Sequence, residues 1–153
     1  MWHAELPFAA LLRAARRAYA AEIVAALTEA GCDDVPRNGA YVIGAIARGG
    51  APLSLIIQGL GVSKQAAGQL VDTLVVRGYV TRAPDPEDRR RLTLALTERG
   101  QAAAAAIRSA AGDVEAYLEG RVGREYVEHT RATLAALIDA GREDTGSGEH
   151  RHG

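Results

Sequence analysis

Residues 61–100 read GVSKQAAGQLVDTLVVRGYVTRAPDPEDRRRLTLALTERG, a segment in which a helical period gives way to an alternating one. Gly61-Val62-Ser63 makes a tight turn, and Ser63 is a good N-cap because its hydroxyl can accept from an amide that the helix start leaves unbonded. The helix it opens carries Ala67, Leu70, Val71, Leu74 and Val75 at three- and four-residue steps, runs to Arg77 and is closed by Gly78. From Tyr79 the period is two. Leu92, Leu94 and Leu96 share one face of a strand, with Arg91, Thr93, Ala95 and Thr97 on the other. Tyr79–Ala83 can pair with this strand antiparallel, which leaves Pro84–Arg90 as a charged hairpin tip. A weaker helix over 53–60 precedes the turn, so two close helices are followed by a β-hairpin, the layout of a winged helix-turn-helix.

Upstream, Pro7 sits where a helix can start. Phe8, Leu11, Leu12, Ala15, Tyr19, Ile23, Ala26, Leu27 and Ala30 then recur at helical spacing until Gly31, which predicts one long amphipathic helix over 7–30. A loop from Cys32 to Asn38 leads to a short apolar helix at 39–47, broken by Arg48-Gly49-Gly50. Downstream, Thr97 can cap a helix that runs through Ala102–Ala106 to Leu118, with Gly120 and Gly123 interrupting it. A final helix carries Tyr126, Val127, Thr130, Leu134, Leu137 and Ile138. The tail 141–153 has no aliphatic residue and is expected to be disordered. The fold class expected is mainly α with a small β-wing. Residues 1–140 are expected to form a single domain, with 1–31 and 98–140 as dimerisation helices and 39–97 as the winged-helix lobe. Both terminal helices carry more apolar face than one small chain can cover, and packing against a twofold copy would bury it.

Composition narrows the function. The 153 residues hold 18 Lys+Arg and 19 Asp+Glu, a formal net charge of −1 that excludes a polybasic, histone-like protein but not a local basic patch. Seventeen of the 18 basic residues are Arg and 31 residues are Ala, a helix-favouring bias that suits a GC-rich bacterial genome as well as any function. The single cysteine, Cys32, excludes a disulfide framework and a cysteine-built zinc site. Neither a signal peptide nor an apolar run of membrane-spanning length is visible, so a soluble, cytoplasmic protein is expected, with no membrane partner. His3, His129, His150 and His152 are scattered, and no metal site is expected. No Gly-rich phosphate loop, nucleophile elbow or paired-carboxylate motif occurs, so neither an enzyme nor a cofactor is expected.

The helix opened by Ser63 turns Lys64, Gln65, Gly68, Gln69 and Asp72 away from its apolar stripe. Amides read adenine edges bidentately, Lys can reach guanine or phosphate, and Gly68 lets the backbone come near a duplex. The hairpin tip is stiffened by Pro84 and Pro86, and Asp88 can hold a neighbouring Arg in one rotamer. A rigid loop ending in guanidinium groups suits a narrow, electronegative minor groove. Between Ser63 and Arg91 six basic residues (Lys64, Arg77, Arg82, Arg89, Arg90, Arg91) face four acidic ones (Asp72, Asp85, Glu87, Asp88), a local excess against an acidic remainder.

Gly61-Val62-Ser63-Lys64-Gln65, Leu70-Val71-Asp72-Thr73-Leu74, Arg77-Gly78-Tyr79-Val80, Arg82, Asp85-Pro86-Glu87-Asp88-Arg89-Arg90 and Leu96-Thr97-Glu98-Arg99-Gly100 resemble the multiple-antibiotic-resistance regulator (MarR) family. The motifs lie between Leu60 and Gly100, and the flanking helices agree in order and length. The resemblance implies a dimeric winged-helix transcriptional regulator, usually a repressor of a palindromic operator relieved by a small ligand or an oxidant. By match to the motifs, Ser63, Lys64, Gln65 and Gln69 face the major groove, Asp88 orients the wing, Arg90 enters the minor groove, and Arg82 and Arg89 complete the DNA-binding set. A phenolic or hydrophobic effector would sit between the dimer helices and the DNA lobes, where Tyr19, Tyr41 and Trp2 are candidate lining residues. The sequence departs from the family at Ile56, Ile57 and Gly59, where a small residue and better helix formers are usual. Cys32 follows the first helix rather than standing near its start, as in peroxide-sensing members. Two other classes remain open: a winged helix that serves as a protein-interaction module, and an enzyme, which a copurifying cofactor would reveal.

Overall fold

The computed structural model describes residues 2–49 and 53–146. A short 3-10 turn at Trp2–Glu5 leads through Pro7 into α1 (Phe8–Glu29), followed by α2 (Gly39–Arg48), α3 (Leu53–Leu60) and α4 (Lys64–Val76). Strands β1 (Val80–Pro84) and β2 (Leu92–Leu96) come next, then α5 (Glu98–Val122) and α6 (Arg124–Gly146). The chain forms two compact units, Met1–Ala111 and Gly112–Gly153, with the boundary inside α5. None of the described helices is long and apolar enough to cross a membrane.

The first unit is a winged helix. Ser63 caps α4 as its position predicts, its Oγ accepting from the Ala66 amide at 3.1 Å. The stripe of α4 is the buried one: Ala67, Val71 and Leu74 pack inward. They join Val42 and Ile43 of α2, Ile56 of α3, Tyr79, Val80 of β1, and Ala103 and Ala104 of α5 in the core. The hairpin is antiparallel with Val80 opposite Leu96, Arg82 opposite Leu94 and Pro84 opposite Leu92. Leu94 and Leu96 are half-buried at its base, whereas Leu92 stands 65% exposed near the tip, where there is no core left to cover it. In α1 only Ile23 and Leu27 are buried. Phe8 and Tyr19 stand exposed, whereas Ala10, Leu11 and Leu12 are half-buried.

A polar knot joins three segments of this unit. The Asp34 carboxylate, in the loop between α1 and α2, accepts from the buried Tyr79 hydroxyl and from Arg99 Nη2 at 2.9 Å. Arg99 lies over the Tyr79 ring, 4.3 Å from its centroid, and Arg77 donates to the Asp34 carbonyl. Thr97 Oγ1 donates to the Gly78 carbonyl and accepts from the Gly100 amide at 3.0 Å. Gly100 approaches so closely that a Cβ there would stand 2.0 Å from the Tyr79 carbonyl oxygen. Burial first, and then the Asp34 carboxylate, push the Tyr79 phenol above its ordinary range. Asp34 is held below the ordinary carboxylate value by the Tyr79 hydroxyl, with Arg99 adding to the effect.

The second unit is a helical hairpin. The expected break near Leu118 is not there: α5 continues through Gly120 to Val122, because a lone helix-interior Gly costs only about 1 kcal/mol. The turn is made by Gly123, whose φ of +91° suits glycine. Arg131 bridges back to Glu115 at 2.6 Å. Helix α6 continues past Ala140 to Gly146, since Arg142 and Glu143 are good helix formers and nothing before Gly146 forces a stop. The rest of the tail, with His150, Arg151 and His152, lies outside the described residues, as does the side chain of Trp2. No described residue of this unit is buried, although Tyr117, Leu118, Val122, Tyr126, Leu137 and Ile138 are large and apolar.

Candidate nucleic-acid interface

With its stripe in the core, α4 turns Lys64, Gln65, Gly68, Gln69 and Asp72 to solvent. Ser63 stands at the helix start, where free amides and the positive end of the helix dipole favour an anion. A Cβ on Gly68 would meet nothing within 4 Å, so the packing of this protomer does not require glycine there. The face is therefore a shallow, amide-bearing surface with a notch of bare backbone.

The wing tip is ordered by its own acids. Asp85 Oδ1 accepts from the Glu87 amide at 2.9 Å, and the ends of the loop close through the Asp85 amide and the Arg91 carbonyl at 2.8 Å. Asp88 Oδ1 accepts from the Arg90 amide at 3.0 Å, and the Asp88 carbonyl accepts from the Arg91 amide at 2.9 Å. Asp88 thus orders the loop through its backbone, not by gripping an Arg side chain as its sequence position suggested. The guanidinium groups of Arg89 and Arg90 are exposed and make no ion pair among the described residues. Asp88 shapes the turn, and the cations it presents stay free for a ligand.

Arg82 behaves differently. From β1 it reaches across to the α4 face, and its Nη2 pairs with Asp72 Oδ1. Ten residues and a change of secondary structure separate the two, and nothing in the sequence marks them as partners. Asp34, Tyr79, Arg77 and Arg99 were likewise not legible as a group. Three of them fall in motifs around residues 77–79 and 97–100, but Asp34 reads as one more acid of a loop.

Tyr19 and Tyr41 are each 42% exposed, and Tyr41 packs against α3, where its hydroxyl would lie 1.8 Å from a Cβ on Gly59. This explains a departure noted above: any side chain at 59 would collide with the Tyr41 ring. Cys32 is buried, its Sγ 3.7 Å from the Ala30 carbonyl. Among the described residues no three of His, Cys, Asp and Glu gather as a metal site.

These features define a winged helix-turn-helix protein. The family model for the MarR family matches residues 33–91 of this chain. Three solved structures share the fold over nearly the whole chain. S. aureus MepR in complex with DNA has a TM-score of 0.70 at 19% identity, covering 89% of this chain and 99% of that one. The transcriptional repressor CouR bound to a 23-mer DNA duplex has a TM-score of 0.67 at 25% identity, covering 88% and 94%. The reduced form of MarR from E. coli has a TM-score of 0.64 at 21% identity, covering 87% and 97%. Comparison with curated proteins gave no match.

Proposed function

We propose that this chain is a sequence-specific DNA-binding transcriptional regulator, a dimeric repressor of a palindromic operator that a small phenolic or hydrophobic effector releases. The observation that carries the reading is the pairing of two surfaces in one unit: the solvent-facing side of α4 and the wing whose Arg89 and Arg90 make no ion pair among the described residues. Ser63, Lys64, Gln65 and Gln69 enter the major groove, and Arg90, flanked by Arg89 on the loop that Asp88 shapes, enters the minor groove. Similarity to CouR and to MepR, both solved on DNA, supports the same placement.

Dimerisation supplies the cover that α1 and the α5–α6 hairpin lack, and it sets two recognition helices about one helical turn apart, roughly 34–36 Å. Tyr19 and Tyr41 are the proposed effector contacts. The protein acts in the cytoplasm, where it meets DNA, and performs no chemistry on it. The test is selection of duplexes by the purified protein from a randomised pool, followed by footprinting. Enrichment of a palindrome supports the reading; no enrichment with an intact dimer would favour a protein-interaction module instead.

A further inference from the structure

On α4, Gln65, Gln69 and Asp72 are separated by four and three residues and lie along one stripe of the helix. All three are exposed, and Asp72 keeps 65% of its side-chain surface open. A bare carboxylate on a surface that meets a duplex is repelled by the phosphates, whose counterion atmosphere rewards cations and penalises anions. Asp72 is not bare. Arg82 of β1 pairs with it through one guanidinium nitrogen, with 41% of the Arg82 side chain still exposed. So open a pair contributes little to folding. Yet it joins the face that reads bases to the hairpin that carries the wing.

We propose that Asp72 and Arg82 act as one specificity element: Arg82 is a positioning residue that cancels the Asp72 charge and fixes the wing against α4, and Asp72 keeps Arg82 from acting as a free phosphate-binding cation. The inference rests on the DNA-binding reading. In this arrangement a duplex that fits both the α4 face and the wing leaves the pair intact. A duplex that engages Arg82 alone must expose Asp72 to its phosphates. The pair therefore taxes non-specific contact more than specific contact, which is discrimination by repulsion.

The test compares Asp72→Asn, Arg82→Ala and the double variant with the parent. The probes are a duplex selected by the parent from a randomised pool and a scrambled duplex of equal length, each titrated with salt. Arg82→Ala should bind the selected duplex roughly 10–100-fold more weakly, because a positioned cation is lost and a carboxylate is unmasked. Asp72→Asn should tighten binding to the scrambled duplex, steepen its salt slope by about one ion and reduce discrimination. The double variant should bind the selected duplex several-fold better than Arg82→Ala alone. Arg82→Lys, which keeps the charge but not the planar fork, should fall between parent and Arg82→Ala. Melting temperatures should barely move, which separates this role from a structural one. Independent effects, with the double variant no better than Arg82→Ala, would overturn the inference while leaving the DNA-binding reading intact. A parent that selects no duplex would overturn both.

Discussion

The hydroxyl of Tyr41 on α2 occupies the space a side chain on Gly59 would need, 1.8 Å from where its Cβ would stand. Alanine ordinarily stabilises a helix by up to about 1 kcal/mol relative to glycine. Here the sign should reverse, because the ring atom Cζ is also within 2.9 Å and the whole tyrosine must move. Gly59→Ala should therefore destabilise by about 1 kcal/mol, and should stabilise instead in a Tyr41→Ala background. Chemical denaturation of the four proteins of the cycle checks it; an equal effect of Gly59→Ala in both backgrounds would show that Tyr41 is not the obstacle.

Gly68 gives the opposite contrast. Nothing within 4 Å would meet its Cβ, so Gly68→Ala should raise stability by up to about 1 kcal/mol. If the bare backbone is there for a duplex, the same methyl group should weaken operator binding at least several-fold. Melting and binding measured on one preparation decide it. A more stable protein with unchanged affinity would mean that the α4 backbone does not come close to DNA.

The Tyr79–Asp34 bond makes stability depend on pH at both ends. Tyr79, raised by burial and by Asp34, contributes fully below the free phenol value of about 10 and loses its contribution as pH climbs above it. Asp34, lowered chiefly by the Tyr79 hydroxyl, contributes above the free carboxylate value of about 3.9 and loses it as pH falls through the folded value. Thermal unfolding followed from acid to alkaline pH should show both declines. Tyr79→Phe should flatten the alkaline decline above about pH 10, and Asp34→Asn should flatten the acid one. An unaltered alkaline limb in Tyr79→Phe would contradict the assignment.

Assembly follows from uncovered surface. Tyr117 and Tyr126 are 65% and 69% exposed, and Ile138 and Phe8 are 59% and 57% exposed. Sedimentation at micromolar concentration should give roughly twice 16.1 kDa. Replacing Leu137 and Ile138 together by Asp should shift the protein to monomer and lower its operator affinity. A monodisperse parent monomer would contradict the account and remove the basis for a palindromic site.

The elements were legible where the pattern is periodic and long. The α4 stripe, the Ser63 cap and the strand β2 each follow from local sequence alone. Boundaries failed where local signals compete with context. Gly120 looks like a stop, yet α5 passes through it, and Gly123 turns the chain because it takes the positive φ. The solvent-facing residues of α4 could be named because everything opposite an apolar stripe faces outward. What stayed hidden were partnerships across elements: Asp72 with Arg82, Asp34 with Tyr79 and Arg99, Tyr41 with Gly59. Such pairs depend on how helices and strands meet, and neither spacing nor composition encodes that.

The central claim is that α4 and the wing read DNA, and a salt titration of operator binding tests it most directly. Arg90→Ala should weaken binding by about 1–3 kcal/mol and lower the salt slope by about one ion, with A·T-rich flanks losing most. Gln69→Ala should cost about 1–3 kcal/mol at a single base pair and leave the salt slope nearly unchanged. Both side chains are exposed and outside the core, so both variants should stay folded and dimeric. If both bind operator with the parent's affinity and salt slope, this surface is not the one that meets DNA.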